Sequence, residues 1–326
     1  MTKRPVVACI GAGRMGRGIA HAFAYAGHEV RLIDAKERDA ATFDKLAREA
    51  MAEVEGSLGL LAGLGLFDAG AIATILKRIS VHPRGEAGAA LAGLPFVFEG
   101  VPETEAAKRE AFAFADQHCD ADTIFASTTS TFLSTMLAGF TIRPARFLNA
   151  HWLNPAYLVP LVEVSPHPAT DPAATAGMTA LLESVGKVPV LCKAAPGYIV
   201  PRIQALAMNE AARLVEEGVA TAEDIDRAVK YGFGFRFAVL GLLEFIDWGG
   251  GDILYYASRY MASATGEDRF KAPAIIDENM AKGRLGMRAG SGFYDWSRMD
   301  VEAYRKQRLG EFVAMLRHLG AVREPV

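Results

Sequence analysis

The sequence predicts an α/β N-terminal domain of Rossmann type followed by an all-α C-terminal domain. Two observations predict it. A short apolar run, "PVVACI" at residues 5–10, leads straight into "GAGRMG", where Gly11, Gly13 and Gly16 hold the G-x-G-x-x-G spacing. From Pro196 onward the apolar residues recur at three- and four-residue spacing, as in helices packed on one face. A chain of 326 residues can bury two cores, and we expect domains at 1–194 and 195–326.

The first elements follow in order. "PVVACI" reads as a buried parallel strand. "RGIAHAFAYAG", residues 17–27, reads as a helix stopped by Gly27, and "HEVRLID", residues 28–34, as a second strand ending in Asp34. In such a unit the first glycine makes the tight turn and the second lets the backbone approach a pyrophosphate. The third lets helix and strand pack closely, and the helix N-terminus faces the anion. Asp34 stands 18 residues after Gly16, where a carboxylate would accept a hydrogen bond from a ribose hydroxyl. Gly11, Gly13, Met15, Gly16 and Asp34 are therefore the candidate cofactor contacts. Asp34 would repel a 2′-phosphate, which favours NAD over NADP. Lys36 and Arg38 read as solvated loop charges. A glycine-rich turn without a ligand is the blander alternative, and the register of strand, turn, helix, strand and acid weighs against it.

Residues 40–80 look helical, an excursion from the simple βαβ pattern. "LPFVFEGVPE", residues 94–103, reads as a strand running into a loop, "AAKREAFAFADQH" as a helix, and "DTIFAST", residues 122–128, as a strand ending in "STTST". Ligands bind at the C-terminal ends of parallel strands, so Ser127, Thr128, Thr129 and Ser130 either contact substrate or cap a helix.

"RFLNAHW", residues 146–152, and "LVEVSP", residues 161–166, read as neighbouring strands. They carry His151 and Glu163, twelve positions apart in an otherwise apolar stretch. A carboxylate bonded to one imidazole nitrogen fixes the tautomer and leaves the other free to take a proton. Alcohol oxidation by NAD needs such a base. Residue types alone leave open a core histidine bonded to a carbonyl and a glutamate on an exposed face.

In the second half, "PRIQALAMNEAARLVEEG", residues 201–218, is helical, and "TAEDIDRAVKYG" opens with a cap-like Thr221 and Asp224. Arg236 sits among aromatics in "YGFGFRFAVLGLLE", residues 231–244. A desolvated arginine needs a partner, and its planar fork suits a carboxylate. That carboxylate is either a substrate's or an internal one, Glu244 or Asp247. Residues 297–326 read as a terminal helix.

Composition narrows the function classes. A formal net charge of -3 gives no electrostatic reason for a nucleic-acid partner. No uninterrupted apolar run of about 18 residues suggests a membrane span. The start, "MTKRPVVACIGAG", is basic and then apolar like a signal peptide, but its apolar run breaks into the glycine motif, so a first strand is the better reading. Cys9, Cys119 and Cys192 are far apart with no C-x-x-C pair, which fits a reducing cytoplasm. No metal is assigned.

Four segments, "IGAGRMGRGIA", "STTST", "HWLNPAYLVPLVEV" and "PGYIVPRIQALAMNEAARLVEEGVATAEDIDRAV", together resemble the L-3-hydroxyacyl-CoA dehydrogenase family in order and over nearly the whole chain. The resemblance implies a Rossmann-like NAD domain, a helical C-terminal domain like that of 6-phosphogluconate dehydrogenase, and a homodimer. It implies that His151 and Glu163 are catalytic. It also implies that Ser130 contacts substrate, that Asn154 of H-x-x-N-P assists, and that Glu103 and Lys108 approach the cofactor. One departure stands out: "GYIVPR" places Pro201 where the family's "GF-x-x-NR" has a substrate-holding asparagine. Proline has no such donor and fits only in a helix's first turn. Arg236 makes the chain resemble the branch acting on free 3-hydroxy acids, the L-gulonate 3-dehydrogenase and lambda-crystallin group.

The expectation is an NAD-dependent dehydrogenase acting on the 3-hydroxyl of a small L-3-hydroxy acid, with Arg236 and Ser130 as substrate contacts. The alternatives are the same chemistry on a 3-hydroxyacyl-CoA thioester, aldehyde oxidation on an aromatic acid, and a non-catalytic NAD-binding structural protein.

Overall fold

Short apolar strands satisfy their backbones only by pairing, and here they form one eight-stranded sheet in the order β3-β2-β1-β4-β5-β6-β7-β8. The strands are β1 (Val7–Ile10), β2 (Val30–Ile33), β3 (Ile79–His82), β4 (Phe96–Glu99), β5 (Ile124–Ser127), β6 (Phe147–Trp152), β7 (Leu161–Pro166) and β8 (Val188–Leu191). All neighbours are parallel except β6 and β7, which are antiparallel. The computed structural model describes residues 4–325. Residues 1–3, the basic start of the signal-like stretch, and residue 326, at the end of the expected terminal helix, lie outside them.

The strand order reverses between β1 and β4, and this crevice is where doubly wound sheets bind ligands. Helix α1 (Arg14–Tyr25) starts at the glycine turn and stops before Gly27, whose φ of 92° suits glycine. Apolar clusters cover both sheet faces. One is built around Phe23, Phe98 and Trp152, the other around Phe112, Phe125 and Phe147.

The expected helical excursion is only partly helical. Helix α2 (Ala40–Gly63) and a short helix, Ile72–Leu76, occupy it, but its end enters β3, which pairs with β2. β3 is a four-residue edge strand that buries only Ile79 fully, so it carries no apolar run to mark it.

The chain divides into two units, Met1–Ala207 and Met208–Val326. The division falls beyond the expected boundary at 194/195, inside the helix Val200–Glu216. The reason is local: Tyr198, Ile199 and Val200 are hydrogen-bonded into the sheet unit, so the first turns of that helix belong with it.

The second unit is helical, and Thr221 caps the helix Ala222–Ala228 as its sequence predicts. Buried Asp247 accepts hydrogen bonds from the backbones of Phe293 and Tyr294 and from Trp296 Nε1, tying "GFYDW" down. The terminal helix is Val301–His318. No helix among the described residues is long and apolar enough to cross a membrane. All three cysteines are free.

Candidate active site

The nucleotide end of the site is built by close backbone approach. A side chain on Gly11 would come within 2.7 Å of the Gly100 carbonyl oxygen, and one on Gly16 within 2.0 Å of the Gly11 carbonyl oxygen. Gly13 differs: a Cβ there would meet nothing within 4 Å. The crowded glycines set the turn, and the open one leaves room for an incoming phosphate. Helix α1 has no side-chain cap and no acidic residue in its first turn, so its amides are available to an anion. Met15 lies in that first turn, half-buried. These residues fit a dinucleotide.

Asp34 follows β2 and is buried. Its carboxylate is already engaged. Oδ2 accepts from Arg38 Nε at 2.6 Å and Oδ1 from the Lys36 backbone at 3.1 Å. Arg38 is exposed, as the sequence suggests, but it is also paired, because a buried carboxylate at a strand end needs a partner. Lys36 is exposed, as expected.

His151 and Glu163 stand directly opposite each other on the antiparallel pair β6 and β7. Residues so placed have Cβ atoms about 5 Å apart on one face, which explains the twelve-residue spacing. His151 Nδ1 lies 2.8 Å from Glu163 Oε2, and both side chains are buried. The other carboxylate oxygen accepts from the backbones of Ile199 and Val200, each at 2.8 Å, where the helix Val200–Glu216 begins. Three donors and a helix N-terminus thus surround the buried carboxylate. The arrangement excludes both the exposed glutamate and the carbonyl-bound histidine. Pro201 is the second residue of this helix, where its missing N–H costs nothing.

One further residue holds the histidine and another holds that residue, and the sequence shows neither role. Tyr198 stacks on the imidazole, with centroids 4.8 Å apart and planes within 13°. Its hydroxyl donates to the Thr129 carbonyl and accepts from Asn149 Nδ2, both at 2.9 Å. Asn149 lies two residues before His151 on β6, hence on the same face. Burial pushes the Tyr198 phenol well above its ordinary range, so the hydroxyl stays a donor.

Glu103 and Lys108 are brought together at 3.2 Å, but the lysine is not free for a cofactor. Its buried ammonium is bound by both oxygens of Glu99, at 2.9 and 3.0 Å. Glu99 also accepts from Ser127 Oγ at 2.6 Å. The signal for Glu99 was present in the sequence, since a charge ending an apolar strand needs a buried partner. Glu103 accepts from the Thr129 hydroxyl and from the backbones of Ser130 and Thr131. Burial works to raise the Glu103 carboxyl, but Thr129 and Lys108 outweigh it and hold it below the usual carboxylate range. Thr129 also accepts from the Phe132 backbone, so it closes the turn while Ser130 stands exposed beside it.

Asn154, exposed three residues past His151, makes no hydrogen bond to the histidine. It lines a cavity of about 240 Å³ with Arg14, Arg17, Ser57 and Tyr157. That is smaller than the ~300–1,000 Å³ typical of ligand pockets and suits a small group.

Arg236 lies in the second unit and is exposed. Its Nε donates to the Gly232 carbonyl at 3.0 Å, and its guanidinium sits over the Phe245 ring. Neither expected internal partner is available. Glu244 is taken by Gly241, Tyr304 and Arg308, and Asp247 by Phe293, Tyr294 and Trp296.

Residues 6–195 match the family model of the 3-hydroxyacyl-CoA dehydrogenase NAD binding domain, and residues 197–296 match that of the C-terminal domain. The chain is 31% identical over 314 residues to 5-formyl-3-hydroxy-2-methylpyridine 4-carboxylate 5-dehydrogenase of Mesorhizobium japonicum, spanning 96% of this chain and 97% of that protein. It is 35% identical over 255 residues to the lambda-crystallin homolog of Bos taurus, spanning 78% and 77% respectively. The crystal structure of a 3-hydroxyacyl-CoA dehydrogenase from Archaeoglobus fulgidus aligns with a TM-score of 0.75 at 31% identity, covering 98% of this chain and all of that one. With the glycine turn, the sheet order and the matches to both domains in agreement, the chain belongs to the 3-hydroxyacyl-CoA dehydrogenase family of NAD-dependent oxidoreductases acting on CH–OH groups.

Proposed function

We propose that this protein oxidises the 3-hydroxyl of a small free L-3-hydroxy acid, with His151 as general base and Glu163 as its orienter. NAD supplies the hydride acceptor. A carboxylate can only accept, so the 2.8 Å contact assigns the proton to His151 Nδ1 and leaves Nε2 bare. Nε2 takes the hydroxyl proton as the C3–H bond gives up its hydride, and the alcohol becomes a ketone. The imidazolium is then stabilised by Glu163, whose second oxygen is already held by two backbone amides. In reduction, Nε2 returns the proton. Ser130, exposed after β5, and Asn154, exposed after β6, are the side chains we assign to the substrate oxygen and its positioning. Glu103 is assigned to the cofactor side.

The observation that carries the choice of a free acid is Arg236, a guanidinium without an internal carboxylate among the described residues. The Mesorhizobium japonicum relative covers almost the entire chain and is named for a pyridine carboxylate. It favours a second reading, oxidation of an aldehyde on an aromatic acid, which would use Arg236 in the same way. The Archaeoglobus fulgidus structure favours a third, the CoA thioester. A non-catalytic protein would have no use for the buried dyad. NADH formation measured across free 3-hydroxy acids, aromatic aldehyde acids and 3-hydroxyacyl-CoA thioesters tests the proposal. Preferred turnover of a free 3-hydroxy acid supports it, and a far higher kcat/KM on thioesters defeats it.

We further propose a cytoplasmic homodimer. Met208, Tyr231, Ile253, Tyr256 and Tyr260 expose large apolar side chains on the second unit, and its helix Gly251–Thr265 buries no residue fully. A second copy would cover them. Sedimentation at the monomer mass would refute this.

A further inference from the structure

We propose that Tyr198 is a positioning residue for His151, fixing the plane of the imidazole with its ring and locking that ring in place with its hydroxyl. The inference rests on the reading of His151 as the base. A single hydrogen bond from Nδ1 to Glu163 anchors one ring atom and leaves the ring free to turn about that anchor. The parallel stack removes this freedom, because planes within 13° at 4.8 Å permit little rotation. With both constraints Nε2 has one direction left.

The stacking ring is itself tied at several points. Tyr198 OH bonds the Thr129 carbonyl, in the loop that carries Ser130, and the Asn149 amide, on the strand that carries His151. Asn149 Nδ2 also donates to the Phe132 carbonyl at 2.9 Å. The next two backbone amides, those of Ile199 and Val200, hold Glu163. One short segment, 198–200, therefore reaches the histidine, its carboxylate and the substrate-side loop together. Its backbone shows the cost. Tyr198 is the one non-glycine among the described residues with positive φ, at 45°. A bulky residue holds that conformation only where its surroundings impose it. Gly197 before it, at φ 75°, makes the bend possible.

The stack has a second consequence. An aromatic face within about 6 Å favours a cation over it, so Tyr198 favours the imidazolium that forms when His151 takes the substrate proton. Removing the ring should make His151 a weaker base. The acid limb of kcat against pH in the oxidation direction, which reports the base in the enzyme–substrate complex, should then move to lower pH by about half a unit. A residue with only a fold-stabilising role would lower Tm and leave that limb in place.

The test uses the full chain with NAD and the acid it turns over best. Tyr198→Leu removes ring and hydroxyl. It should lose about tenfold or more in plateau kcat, keep its KM for NAD, and show the shifted limb. Tyr198→Phe keeps ring and fold but loses the latch. Its limb should match wild type, while plateau kcat falls about threefold to tenfold. His151→Ala runs alongside. If it stays active, the reading of His151 as base has failed. If it is inactive while Tyr198→Phe keeps wild-type kcat and the limb of Tyr198→Leu has not moved, this inference alone is overturned. Should Tyr198→Leu fail to fold, wild-type kcat in Tyr198→Phe is enough to overturn it.

Discussion

Glu163 in the sheet unit and Arg236 in the helical unit are each a single charge in an apolar segment, and their surroundings are opposite. Glu163 is fully buried and receives three hydrogen bonds from its own unit, one from His151 and two from the backbone. Arg236 is exposed and holds only a backbone carbonyl and an aromatic face, while the nearby carboxylates Glu244 and Asp247 are bound elsewhere. A charge completed by its own chain can orient a reacting group without reorganising. A charge the chain leaves incomplete is free to recognise something outside it. Under the proposed function, Glu163 serves the chemistry and Arg236 the choice of substrate.

The largest effect that can break this comparison is at Glu163. Glu163→Gln keeps the shape, but its oxygen will face the two backbone amides and its NH2 will face Nδ1, forcing the wrong tautomer. We expect kcat to fall by about 10³–10⁴, as for removal of an orienting carboxylate in a serine protease triad, with KM little changed. Arg236→Ala should do the reverse. Loss of a charged hydrogen bond of about 1.5–3 kcal/mol raises KM for a free acid about tenfold to a hundredfold and leaves kcat. Lysine should rescue it only partly, lacking the planar fork. Steady-state kinetics on both variants decide the matter, because a kcat defect in Arg236→Ala or a pure KM defect in Glu163→Gln would dissolve the distinction.

A smaller effect sharpens the comparison at the cofactor end. Asp34 is also a buried carboxylate completed internally, here by Arg38. If Asp34 binds the ribose as we propose, Asp34→Ala removes that contact and the repulsion of a 2′-phosphate, and it frees Arg38 to meet that phosphate. The kcat/KM preference for NAD over NADP should fall about tenfold or more. A wild-type enzyme that prefers NADP contradicts the assignment.

The last effect is on stability, not on rate, and belongs to the sheet unit alone. His21 is buried, bonded to Ser57 Oγ at 2.7 Å and stacked on Tyr157. Burial first, and then the nearby Lys187 charge, lower it to about 4 from an ordinary 6.5. The unfolded chain therefore binds the proton more readily. His21 contributes stability that is complete above pH 6.5 and is lost as pH falls through 4, of order 2–3 kcal/mol. Urea midpoints taken at both ends of that window should show a steeper acid loss in wild type than in His21→Gln. Equal losses would remove His21 from the account.

Much of this was legible in the sequence where local rules and tertiary structure agree. The glycine turn reads directly because backbone contacts to Gly11 and Gly16 forbid side chains. The spacing of His151 and Glu163 reads directly because β6 and β7 pair in register. Edge elements were not legible. β3 buries only Ile79, and β8 contains Pro189 and exposes Val188 and Leu191, so neither shows a buried strand's pattern. Partners set by folding were hidden as well. Nothing in the chain order says that Lys108 is claimed by Glu99 or that Tyr198 lies on His151.

Whether His151 is the base is decided by His151→Ala. NADH formation and NAD affinity should be measured side by side on the same preparation. We expect a kcat at least about 10³-fold lower with an unchanged Kd for NAD, since a base contributes about 10²–10⁴ and this one would also be the group that Glu163 orients. A variant that binds NAD and keeps near wild-type kcat would contradict it.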